Sequence, residues 1–466
     1  MQTMRIHFIA IGGSAMHNLA IALKQKGYAI SGSDDEIFEP SYSRLKSNGI
    51  LPSEIGWFPD RITTGLDAIV LGMHARADNP ELIKAKELGL KIFSYPEYLY
   101  EQTKDKTRVV IGGSHGKTTI TSMIMHVLRE SGFKFDYMVG AQIDGFTNMV
   151  GLSDDTNIAV FEGDEYLTSP IDARPKFHLY KPHIAVISGI AWDHINVFPT
   201  KEFYAKQFEL FVKTIQPNGN LVFYKNDNQV LQLTKFANKD ITLTPYTEHP
   251  FSVNEDKTYL KTEGEQIEIK LFGKHNMENI AAAKSVCSFL GVTNTQFYKA
   301  ITTFSGAAKR MQRLSSNDTV DVFVDFAHAP SKVKATVKAL KEAYPDRKLM
   351  ACLELHTFSS LSKAFLDEYN GALNDSDFPV IFYAPHTIEL KKLPPLDSNF
   401  VKQKFGNTNI KVFNNPKDLH QYILKHPWYS SNLLFMSSGN FAGLDLGEIA
   451  NVIVEDDDFP KRYLKF

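Results

Sequence analysis

Residues 109–119 read Val-Val-Ile-Gly-Gly-Ser-His-Gly-Lys-Thr-Thr. An apolar run enters a glycine-rich turn, and a helical pattern from Lys117 to about Glu130 leaves it. Strand, glycine turn and helix, in that order, are the context a phosphate-binding loop requires. Glycines let backbone N–H groups face phosphate oxygens, and the helix N-terminus adds positive potential. On this reading Gly113, Ser114, His115, Gly116, Lys117, Thr118 and Thr119 bind phosphate. Lys117 reaches the terminal phosphates and the Thr118 hydroxyl ligates Mg²⁺. Ile111 stands where the common G-x-x-x-x-G-K-[ST] form has its first glycine, so the loop fits the shorter G-x-x-G-K-T.

The same alternation surrounds this loop on both sides. Before it, Ile6–Ile11, Tyr28–Ser31, Ala68–Leu71 and Lys91–Phe93 read as strands and Ala15–Gln25 as a helix, which gives βαβ units. The polar stretch Glu101–Arg108 reads as a linker. After the loop, strands are expected at Ile158–Phe161, Ile184–Ile187 and Leu221–Phe223. An antiparallel patch is expected within Ile241–Phe272 and a helix over Met277–Leu290. A third block starts near Gly306. Its expected strands are Val320–Val324, Leu349–Leu353, Val380–Tyr383 and Leu433–Met436, with a helix over Ser331–Ala343. The fold class is therefore α/β, and 466 residues at about 150 per domain give roughly three domains.

Composition excludes several classes. Hydrophobic residues make up 43% and charged residues 22% of the chain, which is ordinary for a globular protein and not for a disordered one. Lys plus Arg number 51 against 53 Asp plus Glu, so a net charge of −2 offers no reason to expect nucleic acid or an anionic membrane as partner. The two cysteines, Cys287 and Cys352, form no C-x-x-C pair, which points away from a thiolate zinc site and towards a reducing, cytoplasmic setting. No apolar run approaches the ~20 residues that span a bilayer. The N-terminal run is a strand, not a signal peptide.

Further motifs sit at strand ends. Glu162-Gly163-Asp164-Glu165 follows a strand; carboxylates there suit Mg²⁺, though the run also reads as a solvated acidic turn. Asp193-His194 follows the strand at 184–187, with His194 either a ligand or structural. Gly12, Gly13 and Ser14, with Ser33 and Asp34 at the end of the second strand, are a broken dinucleotide fingerprint: Ser14 and His17 occupy later glycine positions. Asn276, in Gly273–Asn279, is placed to cap a helix. Asp325 and His328, in Asp325–Pro330, put a carboxylate and an imidazole at a strand's C-terminal end, with Pro330 suited to helix position N1. Lys309, Arg310 and Arg313 form a small basic cluster.

In this order the motifs resemble those of the Mur ligase family, over essentially the whole chain. Residues 5–16 look like its UDP-binding start and Gly113–Thr119 like its ATP loop. Glu162–Glu165 is similar to its Glu-Ala-Asp-Glu motif and Asp193-His194 to its Asp-His motif. Gly273–Asn279 resembles Gly-x-His-Asn-x-x-Asn, and Asp325–Pro330 resembles Asp-x-x-His-x-Pro. Gly163 stands in place of the family's alanine, His17-Asn18 in place of small residues, and Ala308 in place of a lysine.

The resemblance implies three domains. Residues 1–106 would form a Rossmann-like UDP-sugar domain and 107–306 a central P-loop ATP-binding domain. Residues 307–466 would form a Rossmann-like domain for the amine and nucleotide closure. It implies an ATP- and Mg²⁺-dependent ligase that activates the carboxylate of UDP-N-acetylmuramate as an acyl phosphate. Gly12, Gly13, Ser14, Ser33 and Asp34 would bind the UDP-sugar. Lys117, Glu162, His194 and His328 would be catalytic, and Thr118, Glu162 and His194 would hold metal. Asn276 and Asp325 would contact the nucleoside and Arg310 a phosphate.

Within the family, Glu36–Pro40, Lys176-Phe177, Tyr180–Pro182 and Asp193–Phe198 look like the recycling branch, which takes the murein tripeptide L-Ala-γ-D-Glu-meso-diaminopimelate. The alternative amine is L-alanine, as in the biosynthetic branch. Leu353–Ser359 fits neither pattern cleanly. A monomer or weak homo-oligomer is expected.

Overall fold

The computed structural model describes residues 3–254, 257–308 and 310–455. Its frame is three mainly parallel α/β sheets that follow one another along the chain. In the first, the strand order is Ala29–Ser33, Arg5–Ile9, Ala68–Leu71, Ile92–Ser94, all parallel. The second has seven strands, ordered Thr242–Tyr246, Asn220–Tyr224, Ile184–Ile187, Thr107–Gly112, Ile158–Glu162, Asp136–Met138 and Val150–Gly151. The last of these is antiparallel. The third orders Gln312–Ser316, Val320–Asp325, Ser431–Met436, Lys348–Glu354, Phe378–Phe382 and Lys411–Phe413. Central strands such as Val109–Ile111 and Leu433–Met436 are wholly buried, as strands covered on both faces must be, and so they read as unbroken apolar runs.

By compactness the chain divides into two units. One holds the residues through Ile190, Ala205–Thr247 and Asn279–Ile301. The other holds Ala191–Tyr204, Glu248–Glu278 and the residues from Thr302 on. The first unit contains the four- and seven-stranded sheets. The second contains the six-stranded sheet, with an apolar cluster on each face, and a three-stranded antiparallel sheet over Phe251–Asn254, Lys257–Lys261 and Gln266–Ile269. Among the described residues no helix is long and apolar enough to cross a membrane.

Four sequence expectations are corrected. The linker Glu101–Arg108 is instead the end of a helix, Tyr95–Thr103, and the start of the strand Thr107–Gly112. Ser94 and Glu97 close a capping box at the helix start, and Tyr95, Tyr98 and Leu99 bury one face at helical spacing. The patch within Ile241–Phe272 is antiparallel only from Phe251 on, since Thr242–Tyr246 pairs parallel to Asn220–Tyr224. The third block gains an antiparallel edge strand, Gln312–Ser316, whose polar sequence carries no alternation. Asn276 does not cap its helix: Lys274–Phe289 already includes it, and its side-chain amide donates to Phe272 O at 2.8 Å.

Arg108 joins the first two sheets' segments within the first unit. It is 2% exposed. Its guanidinium donates to carbonyls of Tyr180, Lys181, Thr103, Lys104 and Lys106 at 2.7–3.1 Å. Burial lowers its pKa without removing the charge. An Arg108→Met substitution keeps the apolar stem and leaves those carbonyls without their donor. We expect a loss of about 3 kcal/mol, read as a lower urea midpoint of the first unfolding transition. An unchanged midpoint would refute this role.

Candidate active site

The first unit carries the glycine loop. The strand Thr107–Gly112 ends in it, and the helix Lys117–Glu130 starts from it. Gly113 and Gly116 have φ of +129° and +76°, values that favour glycine. There is no room for a side chain either. A Cβ on Gly113 would lie 2.2 Å from Ser188 Oγ, and one on Gly116 would lie 2.5 Å from Asn279 Oδ1. Ser188 Oγ donates to His115 O, and Ser114 N donates to Gly189 O at 2.9 Å. The end of the neighbouring strand thus moulds the loop.

Around the loop's lysine stands the acidic motif. Lys117 Nζ donates to Gly113 O and to Glu165 Oε2, both at 2.7 Å. Burial alone would lower the lysine's pKa, but Glu165, Asp164 and Glu162 more than offset it, so the net shift is upward and the ammonium stays charged. Thr118 Oγ1 donates to Glu162 Oε1 at 2.9 Å, and Gly140 N donates to Glu162 Oε2 at 2.7 Å. Asp164 meets Lys176 Nζ at 2.6 Å. Burial would raise the Asp164 carboxyl, but Lys176 and Lys117 hold it well below the usual range. The hydroxyl of Thr118 and the carboxylate of Glu162 are hard oxygen donors side by side, a set whose chemistry fits Mg²⁺.

The N-terminal turn sits in the same unit. Gly13 precedes the helix Ser14–Gln25. Gly12 N donates to Asp34 Oδ2 at 2.6 Å, and a Cβ on Gly12 would lie 2.9 Å from that oxygen. Asp34 and Ser33 are buried. Burial, with Asp35 beside it, pushes the Asp34 carboxyl up to about 6 against the pull of the Gly12 amide. His17 and Asn18, the bulky replacements, serve packing. The His17 ring bonds Gly13 O and Ser41 Oγ, each at 3.0 Å. Asn18 accepts from Met149 N at 3.2 Å and, through its carbonyl, from Asn148 Nδ2 at 2.8 Å. Asn148 Oδ1 in turn accepts from Arg44 at 2.7 Å.

The second unit carries the remaining candidates. His194 has φ +57°, and its N–H donates to Asp193 Oδ1 at 2.7 Å. Asp193 Oδ2 lies 4.0 Å from His194 Nε2 and 3.9 Å from His328 Nε2. His328 Nδ1 is 2.9 Å from Phe326 O, which assigns the ring proton to Nδ1. Burial, then Lys332, pushes His328 down to about 3, leaving a neutral ring with its Nε2 lone pair turned to Asp193. Ile195 N donates to Ser359 Oγ at 3.2 Å, so the Asp-His turn packs on the loop after strand Lys348–Glu354. Asp325 accepts from Met311 N at 2.6 Å and Ala327 N at 2.7 Å. The Arg310 guanidinium lies 4.6 Å over the Phe326 ring. Lys309 falls outside the described residues. Within Leu353–Ser359, Glu354 is buried and accepts from Ser437 Oγ and Phe441 N, joining this segment to the glycine-rich loop after Ser431–Met436.

The structure therefore brings together Gly113–Thr119 with Glu162 in one unit, and His194 with His328 in the other. Sequence reasoning missed Ser188, Asn279 and Asp193, which shape the loop and link the imidazoles. Asn279 and Asp193 were within quoted motifs, the available signal. Ser188 carried none.

Comparison with known proteins extends along the same segments. Residues 5–107 match the profile described as Mur ligase family, catalytic domain; 111–287 match the Mur ligase middle domain; 309–438 match the Mur ligase, glutamate ligase domain. The UDP-N-acetylmuramate–L-alanine ligase of Lactiplantibacillus plantarum is 30% identical over 387 residues, 80% of this chain and 82% of that protein. Among solved structures, the UDP-N-acetylmuramate–alanine ligase of Thermotoga maritima has TM-score 0.69 at 20% identity, covering 99% of each chain. A murein peptide ligase from Psychrobacter arcticus has TM-score 0.67 at 21% identity, covering 97% of this chain and 99% of that one. At those identities the two structures show a shared fold.

Asp34 gives a pH test. Its folded pKa lies above the unfolded value, so its contribution is complete below about pH 4 and is lost as pH rises through about 6. Asp34→Asn keeps an acceptor for Gly12 N. Its stability relative to the wild type should be near equal at pH 4 and gain about 1 kcal/mol by pH 7.5, after allowance for solvent screening. Thermal midpoints that differ by the same amount at both pH values would contradict this.

Proposed function

The chain belongs to the Mur ligase family and is a ligase, and from that premise we propose that it couples ATP hydrolysis to amide formation between the UDP-N-acetylmuramate carboxylate and L-alanine. The observation that supports the ATP step is the glycine loop with Lys117 and Thr118 set against Glu162 and Glu165. The choice of L-alanine follows the names of the relatives, which are UDP-N-acetylmuramate–L-alanine ligases. A second reading, the murein tripeptide as amine, is supported by the murein peptide ligase among the fold neighbours and by the recycling-like segments quoted above.

The residues suit the steps. Lys117 offers the positive charge that a carboxylate attacking a polyphosphate needs. Thr118 and Glu162 would hold Mg²⁺, with His194 a further ligand. When bound, Mg²⁺ would neutralise phosphate charge and align the reacting oxygens. Loop N–H groups from Gly113 to Thr119 would receive the phosphates, while Asn276, Asp325 and Arg310 would contact the nucleotide. Gly12, Gly13, Ser14, Ser33 and Asp34 would seat the UDP-sugar at the helix starting at Ser14. Neutral His328 would stand by the incoming amine. On this proposal residues 1–106, 107–306 and 307–466 divide the work as UDP-sugar, ATP and amine domains, in the cytoplasm.

ADP release, followed with UDP-N-acetylmuramate and ATP, tests both halves. L-alanine should support turnover and the tripeptide should not; the reverse result selects the second reading. Lys117→Ala should lower kcat at least about a hundredfold, the scale of losing one charge-stabilising group. Wild-type release by that variant would end the ATP reading.

A further inference from the structure

The ammonium of Lys117 has two identified acceptors, a neutral carbonyl and a carboxylate. The carboxylate belongs to Glu165, whose side chain is 2% exposed against 13% for the lysine. A pair this sheltered is strong, and its geometry is set by the fold. Three carboxylates, Glu162, Asp164 and Glu165, surround two ammonium groups, Lys117 and Lys176, giving the patch a formal charge of −1. The ATP loop reading requires Lys117 to serve phosphate as well. One ammonium cannot fully neutralise a buried carboxylate and a polyphosphate brought beside it.

Glu165 is also joined to a distinct element. The next residue, Tyr166, donates its N–H to Asp164 Oδ1 and accepts from Lys176 N, both at 3.0 Å. Phe177 N donates to Asp164 O at 3.1 Å. These bonds tie the base of the hairpin formed by Leu167–Ser169 and Asp172–Pro175. Further along the hairpin, Arg174 pairs with Asp172 at 2.6 Å and with Glu97 at 3.2 Å.

We propose that Glu165 is a positioning residue: the built-in counter-ion that nucleotide phosphate displaces from Lys117, so that it sets the affinity of the loop and passes its occupancy to the hairpin at 167–175. This rests on the ATP reading of the loop. Before displacement, Glu165 keeps the lysine charged and aimed across its own loop. On displacement, Glu165 must be re-partnered, and the hairpin that starts two residues later rearranges with it.

Calorimetric titration of the full chain with Mg-ATP, Mg-ADP and, separately, UDP-N-acetylmuramate tests this. Glu165→Gln removes the competing charge, and Glu165→Asp keeps the charge but shortens its reach. Glu165→Gln should bind Mg-ATP about tenfold tighter, the scale of one charge-assisted hydrogen bond. Glu165→Asp should lie between it and wild type, and UDP-N-acetylmuramate affinity should stay unchanged in both. Hydrogen exchange over 167–175 should respond to Mg-ATP in the wild type and not in Glu165→Gln. Unchanged or weaker Mg-ATP binding in the variants overturns the proposal, as does equal tightening for the UDP-sugar. If Glu165→Gln does not fold, Glu165→Asp decides alone. Wild-type protein that fails to bind Mg-ATP, or Lys117→Ala that binds it equally well, overturns the ATP reading and this proposal with it.

Discussion

The closeness of the Gly113–Gly116 turn to the end of the strand Ile184–Ile187 governs the first unit's chemistry. Ser188 and Gly189 press on the turn from one side and Asn279 from another, and Gly189 itself has room for no Cβ because the His115 ring lies against it. Backbone replaces side chain at each of these points. The helix that follows must then begin at Lys117, which delivers the lysine, and Thr118 beside it, to the carboxylates at the end of the strand Ile158–Glu162. A single alanine at Gly113 would force the turn away from Ser188 and move both side chains at once.

The protein buries charge in three ways, each matched to its surroundings. Arg108 is surrounded by carbonyls and keeps its charge through many partial ones. Lys117 keeps its charge through a full ionic partner, Glu165. Asp34 has an amide and a neighbouring acid, and its affinity for a proton rises instead. Only the second arrangement leaves charges that a ligand can exchange, and it is the one placed at the glycine loop.

Legibility in the sequence followed burial. Strands covered on both faces, such as Val109–Ile111 and Ala68–Leu71, were readable because an apolar run needs no context. The end of the helix Tyr95–Thr103 reads as linker because Glu101 to Lys104 is an all-polar run once detached from the buried Tyr95, Tyr98 and Leu99. The edge strand Gln312–Ser316 is polar because most of its length faces solvent. The glycine loop was legible since its conformation demands particular residues at fixed spacing. Glu165 was not singled out: within Glu162–Glu165, sequence shows an acidic run, and only the fold shows which carboxylate faces the lysine. Ser188 was invisible because its role is to be small and close, which leaves no pattern.

The mutual bonds of Asn18 and Asn148 have a consequence for engineering. These amides, 130 residues apart, read backbone atoms of each other's segment, and Arg44 reads one of them. Such a clasp behaves as a lock with a private key. A chimaera that replaces the opening hundred residues with a segment carrying other side chains at 18 and 44 would lose these contacts to the segment around 148 even if each half folded faithfully. Transplanting the pair together, with Arg44, is what would keep the seam intact.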